Sequence, residues 1–233
     1  MVTEGFGSFR ELAGCTSSGP GERRLVVNIV VFGAGGRAGR QVVTEARRRG
    51  HQVTAVVREP AGHGDLTDVR VVAGDVTDTA SIEHAAAGHD AAVSAAADLS
   101  VPPHEFFTSS SRALTTGLAN VGVHRLVVVG LASVMPGASG APLMDEPGYP
   151  NEYRSFSLGH AAGLDELRGC DLDWVYLAPA GDFDHAGTRT GRYQIAEHGD
   201  PASRIAYADL AIALIDEIEA PRHHRAAVSV REV

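Results

Sequence analysis

The chain has 233 residues and a mass of 24.3 kDa, which suits one α/β domain with a small appendage and excludes a second full domain. The formal net charge is −9 at pH 7 and the sequence pI is near 5.6. These values argue against a non-specific binder of nucleic acid or of an anionic membrane, because the protein would repel phosphate groups. We therefore expect a small-molecule substrate, no nucleic-acid or membrane partner, and a monomer or homodimer.

All 20 basic side chains are arginine, so the chain contains no lysine. This composition excludes an enzyme that forms a Schiff base and a P-loop that binds phosphate through lysine. It also excludes the Tyr-x-x-x-Lys pair, in which a lysine lowers the pKa of a catalytic tyrosine. Whatever reaction the chain performs, it does so without a lysine.

The first 25 residues contain charged and loop-forming residues but no continuous apolar segment, which argues against a secretory signal. We expect residues 1–25 to be a flexible extension, or alternatively an arm that packs on a partner subunit through Phe6, Phe9 and Leu12. The two cysteines are far apart in sequence, and the 11 histidines lack the spacing of metal ligands. We therefore expect no disulfide, no metal and a cytoplasmic location.

A glycine-rich turn follows the first predicted strand, residues 28–32. Gly33 can turn where a Cβ would clash, and Gly35 or Gly36 lets the backbone approach phosphate oxygens. Gly39 would let the next helix lie close against the strand. The N–H groups at the start of that helix would then receive a dinucleotide pyrophosphate. The alternative is a strand-to-helix turn without a ligand, but the amphipathic helix and second strand that follow favour cofactor binding.

The spacing within the turn and the residues near it indicate the cofactor. The turn reads as G-x-x-G-x-x-G, whereas a G-x-G-x-x-G pattern would have to accept Ala38 as its last member. A NAD-binding domain places Asp or Glu about 20 residues past the glycines, but here Arg58 follows the second predicted strand, residues 52–57. Its guanidinium would bind a 2′-phosphate, and Arg37 would add a second positive contact. We therefore favour NADP(H) over NAD(H), and the alternative is that Arg58 caps a strand at the surface.

Two more strands complete the expected cofactor side. Residues 68–73 predict a third strand, and Asp75 and Val76 follow it where the edge of adenine is usually bound. The alternative for Asp75 is a solvated turn residue. After a short helix at 80–87, residues 90–97 predict a fourth strand. Its end consists of three small residues, Ala95, Ala96 and Ala97. Small side chains there leave room for a cofactor.

The remaining elements alternate between helix and strand. We predict helices at 104–121, 154–168 and 207–218, and strands at 124–130, 172–177, 193–196 and 226–230. A loop rich in Gly and Pro, residues 135–150, is long enough to be a lid or a wall of the substrate site. The order of elements predicts a single Rossmann-type domain over 26–233, a doubly wound and mostly parallel sheet with helices on both faces. A small C-terminal appendage would lie on the substrate side.

Several segments besides the glycines carry a family resemblance. They are 57–60 (Val-Arg-Glu-Pro), 74–76 (Gly-Asp-Val), 173–180, 189–193 and 203–211. Over residues 27–231 the chain resembles the atypical short-chain dehydrogenase/reductase group of NADH-flavin reductases, which is related to biliverdin-IXβ/flavin reductase and to NmrA-like proteins. The resemblance implies a nicotinamide-dependent reductase acting on a flavin, a quinone or another flat conjugated acceptor in an open apolar pocket.

The resemblance also bears on the catalytic residues. The group often has Gly-Gly-Ala-Gly-Ser after the fifth strand, where this chain has Gly-Leu-Ala-Ser at 130–133, so Ser133 becomes the candidate near the substrate. Biliverdin reductase relatives carry a histidine where Ala180 stands here, so that proton donor is missing. A flavin or quinone could take its proton from water. A carbonyl acceptor would need a general acid, for which the candidates are Ser133, Tyr153 and His160.

Tyr153 and His160 lie seven residues apart, so on one helix they would face nearly the same side. The alternatives are an exposed helix residue for His160 and a packing aromatic at the helix start for Tyr153. Two other functions also fit the sequence. One is an NmrA-like redox sensor that holds NADP and a protein partner without turnover. The other is a tailoring enzyme whose loop 135–150 receives a natural-product ketone, quinone or enone; fold analogy does not separate these functions.

Overall fold

A computed structural model describes residues 26–233, so the expected extension or arm at 1–25 lies outside the described residues. The described chain forms the strands β1 (Asn28–Phe32), β2 (Gln52–Val57), β3 (Arg70–Ala73), β4 (Ala91–Ser94), β5 (Arg125–Val129), β6 (Asp173–Pro179), β7 (Asp182–Asp184), β8 (Gln194–Ala196), β9 (Arg204–Ala206) and β10 (Ala226–Arg231). Its α-helices are α1 (Arg37–Arg48), α2 (Thr79–Ala86), α3 (Pro103–Asn120), α4 (Arg154–Arg168) and α5 (Tyr207–Glu219).

The main sheet has eight strands in the order β3-β2-β1-β4-β5-β6-β10-β8. Neighbouring strands are parallel, except that β8 runs antiparallel to β10. The chain builds outward from β1 to β3 and then returns to add β4 on the other side of β1. This arrangement confirms the predicted Rossmann-type sheet, and its ligand cleft is expected where the order reverses, at the carboxyl ends of β1 and β4.

Strand β1 contributes to a hydrophobic core on each face of the sheet. Ile29 and Val31 pack in the layer that α1 and α5 cover, whereas Val30 and Phe32 pack in the layer of α2, α3 and α4. All four side chains are fully buried. A strand that is covered on both faces is a continuous apolar run rather than an alternating one, which is why the sequence predicts this strand so clearly.

Some elements differ from the sequence prediction. Strands β7 and β9 form a separate parallel two-stranded sheet that the sequence does not predict, since three-residue strands are too short to set up an alternating pattern. The predicted fourth strand, 90–97, is too long: β4 ends at Ser94, and residues 95–97 lie in the loop beyond it. The segment 135–150 contains a 3₁₀ turn at Leu143–Asp145.

A cluster of charged side chains joins α1 to α5. The Glu45 carboxylate, which is buried, accepts hydrogen bonds from Arg48 and Arg49 on its own helix. Arg189, from the loop before β8, donates to the same carboxylate at 3.1 Å, and Arg49 also donates to Asp216 at 2.6 Å. Burial alone would raise the pKa of Glu45, but the hydrogen bonds from the arginines outweigh it and hold the pKa at about 2. Glu45 is therefore ionised at neutral pH.

Replacing Glu45→Gln should destabilise the fold by about 3 kcal/mol at pH 7, because the buried Arg49 would lose one of its carboxylate partners and Arg48 and Arg189 would lose the one that they share. The folded pKa is about 2 and the ordinary value is 4.5, so the contribution of Glu45 is complete above pH 4.5 and is lost as the pH falls to about 2. The variant should therefore lose less stability than the wild type over this range. Urea unfolding at pH 7 and near pH 3 measures both effects.

The control variant is Asp165→Asn. Asp165 forms an ion pair of 2.7 Å with Arg168 on the surface, where both side chains are more than half exposed. Solvent screens such a pair, so we expect a loss below about 0.5 kcal/mol. Equal losses in the two variants, or an unchanged pH dependence in Glu45→Gln, would contradict the role given to the buried cluster.

Candidate functional site

The glycine turn between β1 and α1 brings backbone segments into direct contact. Gly33 has a φ of +74°, and a Cβ on it would lie 2.6 Å from the Cα of Ala96. A Cβ on Gly39 would lie 2.8 Å from the Cα of Ala34. Neither position can hold a side chain unless the backbone moves. These two glycines are therefore required by the fold itself, with α1 held close to the end of β1.

Gly36 differs from Gly33 and Gly39. A Cβ on it would meet nothing closer than the carbonyl oxygen of Gly33, at 3.4 Å, which is an ordinary contact. Gly36 is also the N-cap of α1 and offers the first N–H groups of that helix no side-chain hydrogen bond, whereas Asp78 caps α2 by accepting from the Ala80 N–H at 3.0 Å. Packing does not explain a glycine at 36, but the close approach of an anion to an uncapped helix does.

A cleft of about 540 Å³ runs along the carboxyl ends of β1, β2, β3 and β4, a volume typical of small-molecule sites. Nine of the twelve residues predicted to bind the cofactor line it, namely Gly33, Gly35, Gly36, Arg58, Asp75, Val76, Ala95, Ala96 and Ala97. The other three, Arg37, Ala38 and Gly39, do not line it. The cleft therefore joins the glycine turn to the position where an adenosine is expected.

The sequence prediction missed several lining residues, including His63, Thr77, Asp98 and Glu105. They lie in loops or at a helix start, where no periodic pattern singles out a side chain. Asp98 directly follows the three alanines beyond β4, so its position in the chain was a usable signal. Its carboxylate forms an ion pair with Arg58, whose side chain is 68% exposed.

His63 lies over the glycine turn. A Cβ on Gly35 would be 2.7 Å from the His63 Nε2, so this glycine makes room for an imidazole. Arg40 holds the arrangement, since its Nε donates to the Gly35 carbonyl at 2.8 Å and its Nη2 lies 3.1 Å from the His63 Nδ1. The imidazole therefore accepts through Nδ1 and carries its proton on Nε2.

Asp75 lines the cleft and also closes a turn. Its Oδ1 accepts hydrogen bonds from the backbone N–H of Thr77 at 2.8 Å and from the Thr77 hydroxyl at 2.7 Å. Asp75 is therefore a turn residue that also lines the cleft, and its place at the edge of adenine stays a prediction. The other carboxylate oxygen, Oδ2, makes neither of these bonds.

Arg37 contacts the C-terminal appendage instead of the cleft. Its Nη1 lies 3.1 Å from the Nδ1 of His185, which follows β7. Next to this contact, the rings of Phe183 and Tyr207 stack with centroids 4.1 Å apart and an angle of 13° between their planes. The small sheet of β7 and β9 is therefore held beside the glycine turn, on the side where an acceptor substrate is expected.

Ser133 lies in a 3₁₀ turn, Ala132–Val134, directly after β5. Its hydroxyl is buried and has no well-aligned hydrogen-bond partner within residues 26–233. The phenol of Tyr149 lies beside it. Partial burial and the negative charge of Asp182 raise the pKa of Tyr149, and the Ser133 hydroxyl opposes them with a smaller lowering effect. Sequence reasoning missed Tyr149 because it lies in the loop 135–150, which has no periodic pattern.

The structure separates the other two catalytic candidates. Tyr153 is the N-cap of α4 and its side chain is 73% exposed, so its interpretation as a packing aromatic is wrong. His160 is buried in the core, so its interpretation as an exposed helix residue is also wrong. The two side chains do not share a face of α4, because Tyr153 precedes the first helical residue.

His160 contacts the segment that follows β5 through the hydroxyl of Tyr176. Its Nδ1 is 2.9 Å from the Tyr176 hydroxyl, which also accepts a hydrogen bond from the Leu131 N–H at 2.9 Å. Burial lowers the pKa of His160 to about 3, so the imidazole is neutral and the Tyr176 hydroxyl donates to it. His160 does not line the cofactor cleft. Its contacts position the turn that carries Ser133.

Comparison with known proteins bears directly on the glycine turn and its cleft. A family model described as NAD(P)H-binding matches residues 33–221, a segment that starts at the first glycine of the turn. The chain belongs to the NAD(P)H-binding family. Among residues 26–233 of this NAD(P)H-binding chain, no helix is long and apolar enough to cross a membrane. No group of three or more His, Cys, Asp or Glu side chains in the same part could hold a metal ion.

The NAD(P)H-binding chain is similar to YwnB of Bacillus subtilis (strain 168), an uncharacterized protein, with 36% identity over 207 residues that cover 84% of this chain and 94% of YwnB. A structure from Streptococcus pneumoniae TIGR4, provisionally named an NADH-flavin reductase, has 31% identity and a TM-score of 0.78, covering 89% of this chain and 100% of that one. A structure from Burkholderia pseudomallei, provisionally described as an exported protein, has 36% identity and a TM-score of 0.77, covering 88% and 100%.

The glycines predict two distinct outcomes of alanine substitution. Gly36→Ala should weaken NADPH binding about tenfold, because a methyl group would lengthen one charge-assisted hydrogen bond to phosphate. Its melting temperature should change by less than about 2 °C. Gly39→Ala should destabilise the fold by about 3 kcal/mol or more, because the new Cβ would meet backbone atoms. Thermal melts measure the stability of each variant, and fluorescence titration with NADPH measures its affinity. Unchanged NADPH affinity in a folded Gly36→Ala variant would contradict the proposed phosphate position.

Proposed function

We propose that this chain is an NAD(P)H-dependent reductase that transfers hydride to a flavin, a quinone or another conjugated small molecule. The observation that carries the proposal is the placement of two features on one edge of the sheet. The cofactor cleft runs along the carboxyl ends of β1 and β4, and the buried hydroxyl of Ser133 lies beside Tyr149 after β5, the next strand beyond β4. The relative from Streptococcus pneumoniae that is named an NADH-flavin reductase supports this class of acceptor.

The residues of the cleft fit a dinucleotide. Gly36 leaves the first N–H groups of α1 open to pyrophosphate oxygens, and three small residues, 95–97, leave space beside β4. Arg58 supports a preference for NADPH, because it lines the cleft where an acidic residue would bind the ribose 2′-OH of NAD. A guanidinium offers two parallel hydrogen bonds to a phosphate.

The acceptor side provides a proton donor. When bound, a reduced nicotinamide supplies a hydride, so a quinone, flavin or carbonyl acceptor needs one further proton to complete the reduction. The Tyr149 hydroxyl can donate it: a raised pKa keeps the phenol protonated at neutral pH, and its half-buried position lets solvent return the proton. Ser133 is available to orient the phenol, since its buried hydroxyl lies beside Tyr149 and forms no hydrogen bond with another group of the described chain.

The purified protein should oxidise NADPH in the presence of FMN, a quinone or a redox dye. Arg58→Glu should lower kcat/KM for NADPH about 100-fold, mainly through KM, because the contact is remote from the reacting atoms and would become repulsive. The matched control is Arg70→Glu, which makes the same charge change at the amino end of β3, away from the cleft. The steady-state decrease in NADPH absorbance gives kcat and KM for the wild type and for both variants.

Other outcomes of this assay separate the remaining functions. Tight NADPH binding with no turnover on any acceptor would contradict the reductase and favour a redox sensor of the NmrA type. Turnover confined to one natural-product ketone, quinone or enone would favour a tailoring enzyme, with residues 135–150 shaped for that substrate. Equal losses in Arg58→Glu and Arg70→Glu would contradict the place given to the adenosine ribose.

Removing the phenol tests the proton donor. With a carbonyl or quinone acceptor, Tyr149→Phe should lower kcat about 100-fold, the usual size of a general-acid contribution, and leave the Kd of NADPH unchanged. The same substitution at Tyr153, which is exposed at the start of α4, distinguishes the two phenols. A loss of kcat in Tyr153→Phe alone would contradict the assignment of Tyr149 and restore the sequence-based candidate.

We further propose that the protein acts in the cytoplasm as a monomer or homodimer, without nucleic acid or membrane as a partner. The net charge of −9 supports the absence of phosphate-rich partners. Because one relative is described as exported, cell fractionation should be used to find the compartment that contains the protein. Size-exclusion chromatography with light scattering measures the number of subunits in its assembly.

A further inference from the structure

The most unusual contact in the cofactor cleft is the ion pair between Arg58 and Asp98. Arg58 follows β2 and Asp98 lies in the loop after β4, so the pair joins two segments that lie on opposite sides of β1. Both residues line the cleft. The guanidinium on which a 2′-phosphate would depend is therefore already paired with a carboxylate.

The carboxylate of Asp98 is held in place by its own loop. Its Oδ1 accepts hydrogen bonds from the Ser100 N–H at 2.8 Å and from the Ser100 hydroxyl at 2.6 Å, which leaves Oδ2 for Arg58. These hydrogen bonds from Ser100, followed by the contact with Arg58, lower the pKa of Asp98, so it is charged at neutral pH. Asp98 is thus a fixed anion, whereas the long, largely exposed side chain of Arg58 is the mobile partner.

We infer that Asp98 is a specificity-determining residue that competes with the 2′-phosphate for Arg58 and so limits the preference for NADPH over NADH. A 2′-phosphate that approaches Arg58 must share the guanidinium with the Asp98 carboxylate or displace it. The 2′-hydroxyl of NADH does not compete in this way, because it leaves the ion pair intact. The inference rests on the cofactor site in the proposed function, but it concerns binding and does not depend on turnover.

Asp98→Asn tests the inference with little disturbance, because the amide keeps an oxygen for Ser100 and removes only the charge. The dissociation constants of NADPH and NADH are measured by fluorescence titration of the wild type and the variant, with thermal melts to confirm folding. NADPH should bind about tenfold more tightly to the variant, the size of one charge-assisted contact regained. NADH affinity should change by less than about twofold, because NADH does not use the guanidinium as a phosphate partner.

Two further variants exclude a general effect of charge. In an Arg58→Gln background, Asp98→Asn should no longer change the ratio of the two affinities, since the competition acts through Arg58. Glu105→Gln removes one negative charge from the same cleft and should change the ratio of the two affinities much less than Asp98→Asn does, because the contact with Arg58 comes from Asp98.

The result that overturns the inference is an unchanged NADPH to NADH ratio in folded Asp98→Asn, or a change that persists in the Arg58→Gln background. Either outcome would leave the proposed reductase intact. Failure of the wild type to bind either nucleotide would instead contradict the proposed function, and the inference with it.

Discussion

Close backbone packing at the turn between β1 and α1 is the constraint on which the rest of the structure depends. Gly33 and Gly39 have no room for a Cβ, so α1 begins immediately beyond the end of β1 and next to the loop after β4. This contact fixes where the uncapped N–H groups of α1 lie relative to the cleft. It also fixes Arg37, through which the small sheet of β7 and β9 meets the turn at His185. Cofactor side and acceptor side are thus positioned by one contact.

Charge is distributed differently on the two sides of this turn. Between α1 and α5, the buried Arg49 pairs with Glu45, Asp216 and Glu219 and so holds the two helices together. In the cleft, Arg58 is exposed and paired with Asp98, and a phosphate of the proposed cofactor would compete for it. Because the chain has no lysine, arginine performs both tasks, and only the exposed one is available to a ligand. The proposed acceptor side offers neutral hydroxyl groups instead, those of Ser133 and Tyr149.

The sequence allowed the doubly wound, mostly parallel sheet and most of the cleft to be predicted, because apolar runs such as 28–32 and the glycine spacing are local patterns. The remaining site residues depend on contacts between distant segments. Asp98 meets Arg58 across 40 positions of sequence, and Tyr149 lies in a loop without periodicity. Helical spacing did not predict the environment of His160. The seven-residue separation from Tyr153 predicted that both side chains share a face of one helix, but His160 is buried against Tyr176.

We propose that the cleft beyond the glycine turn binds NADP(H) with its pyrophosphate at the start of α1 and its 2′-phosphate at Arg58. A crystal structure of the protein with NADP⁺ would show where the nucleotide lies. We expect phosphate oxygens within hydrogen-bond distance of the N–H groups that follow Gly36, and a 2′-phosphate on the Arg58 guanidinium with Asp98 displaced from it. A nucleotide bound elsewhere, or a 2′-phosphate that points into solvent while the Arg58 and Asp98 pair stays intact, would contradict it.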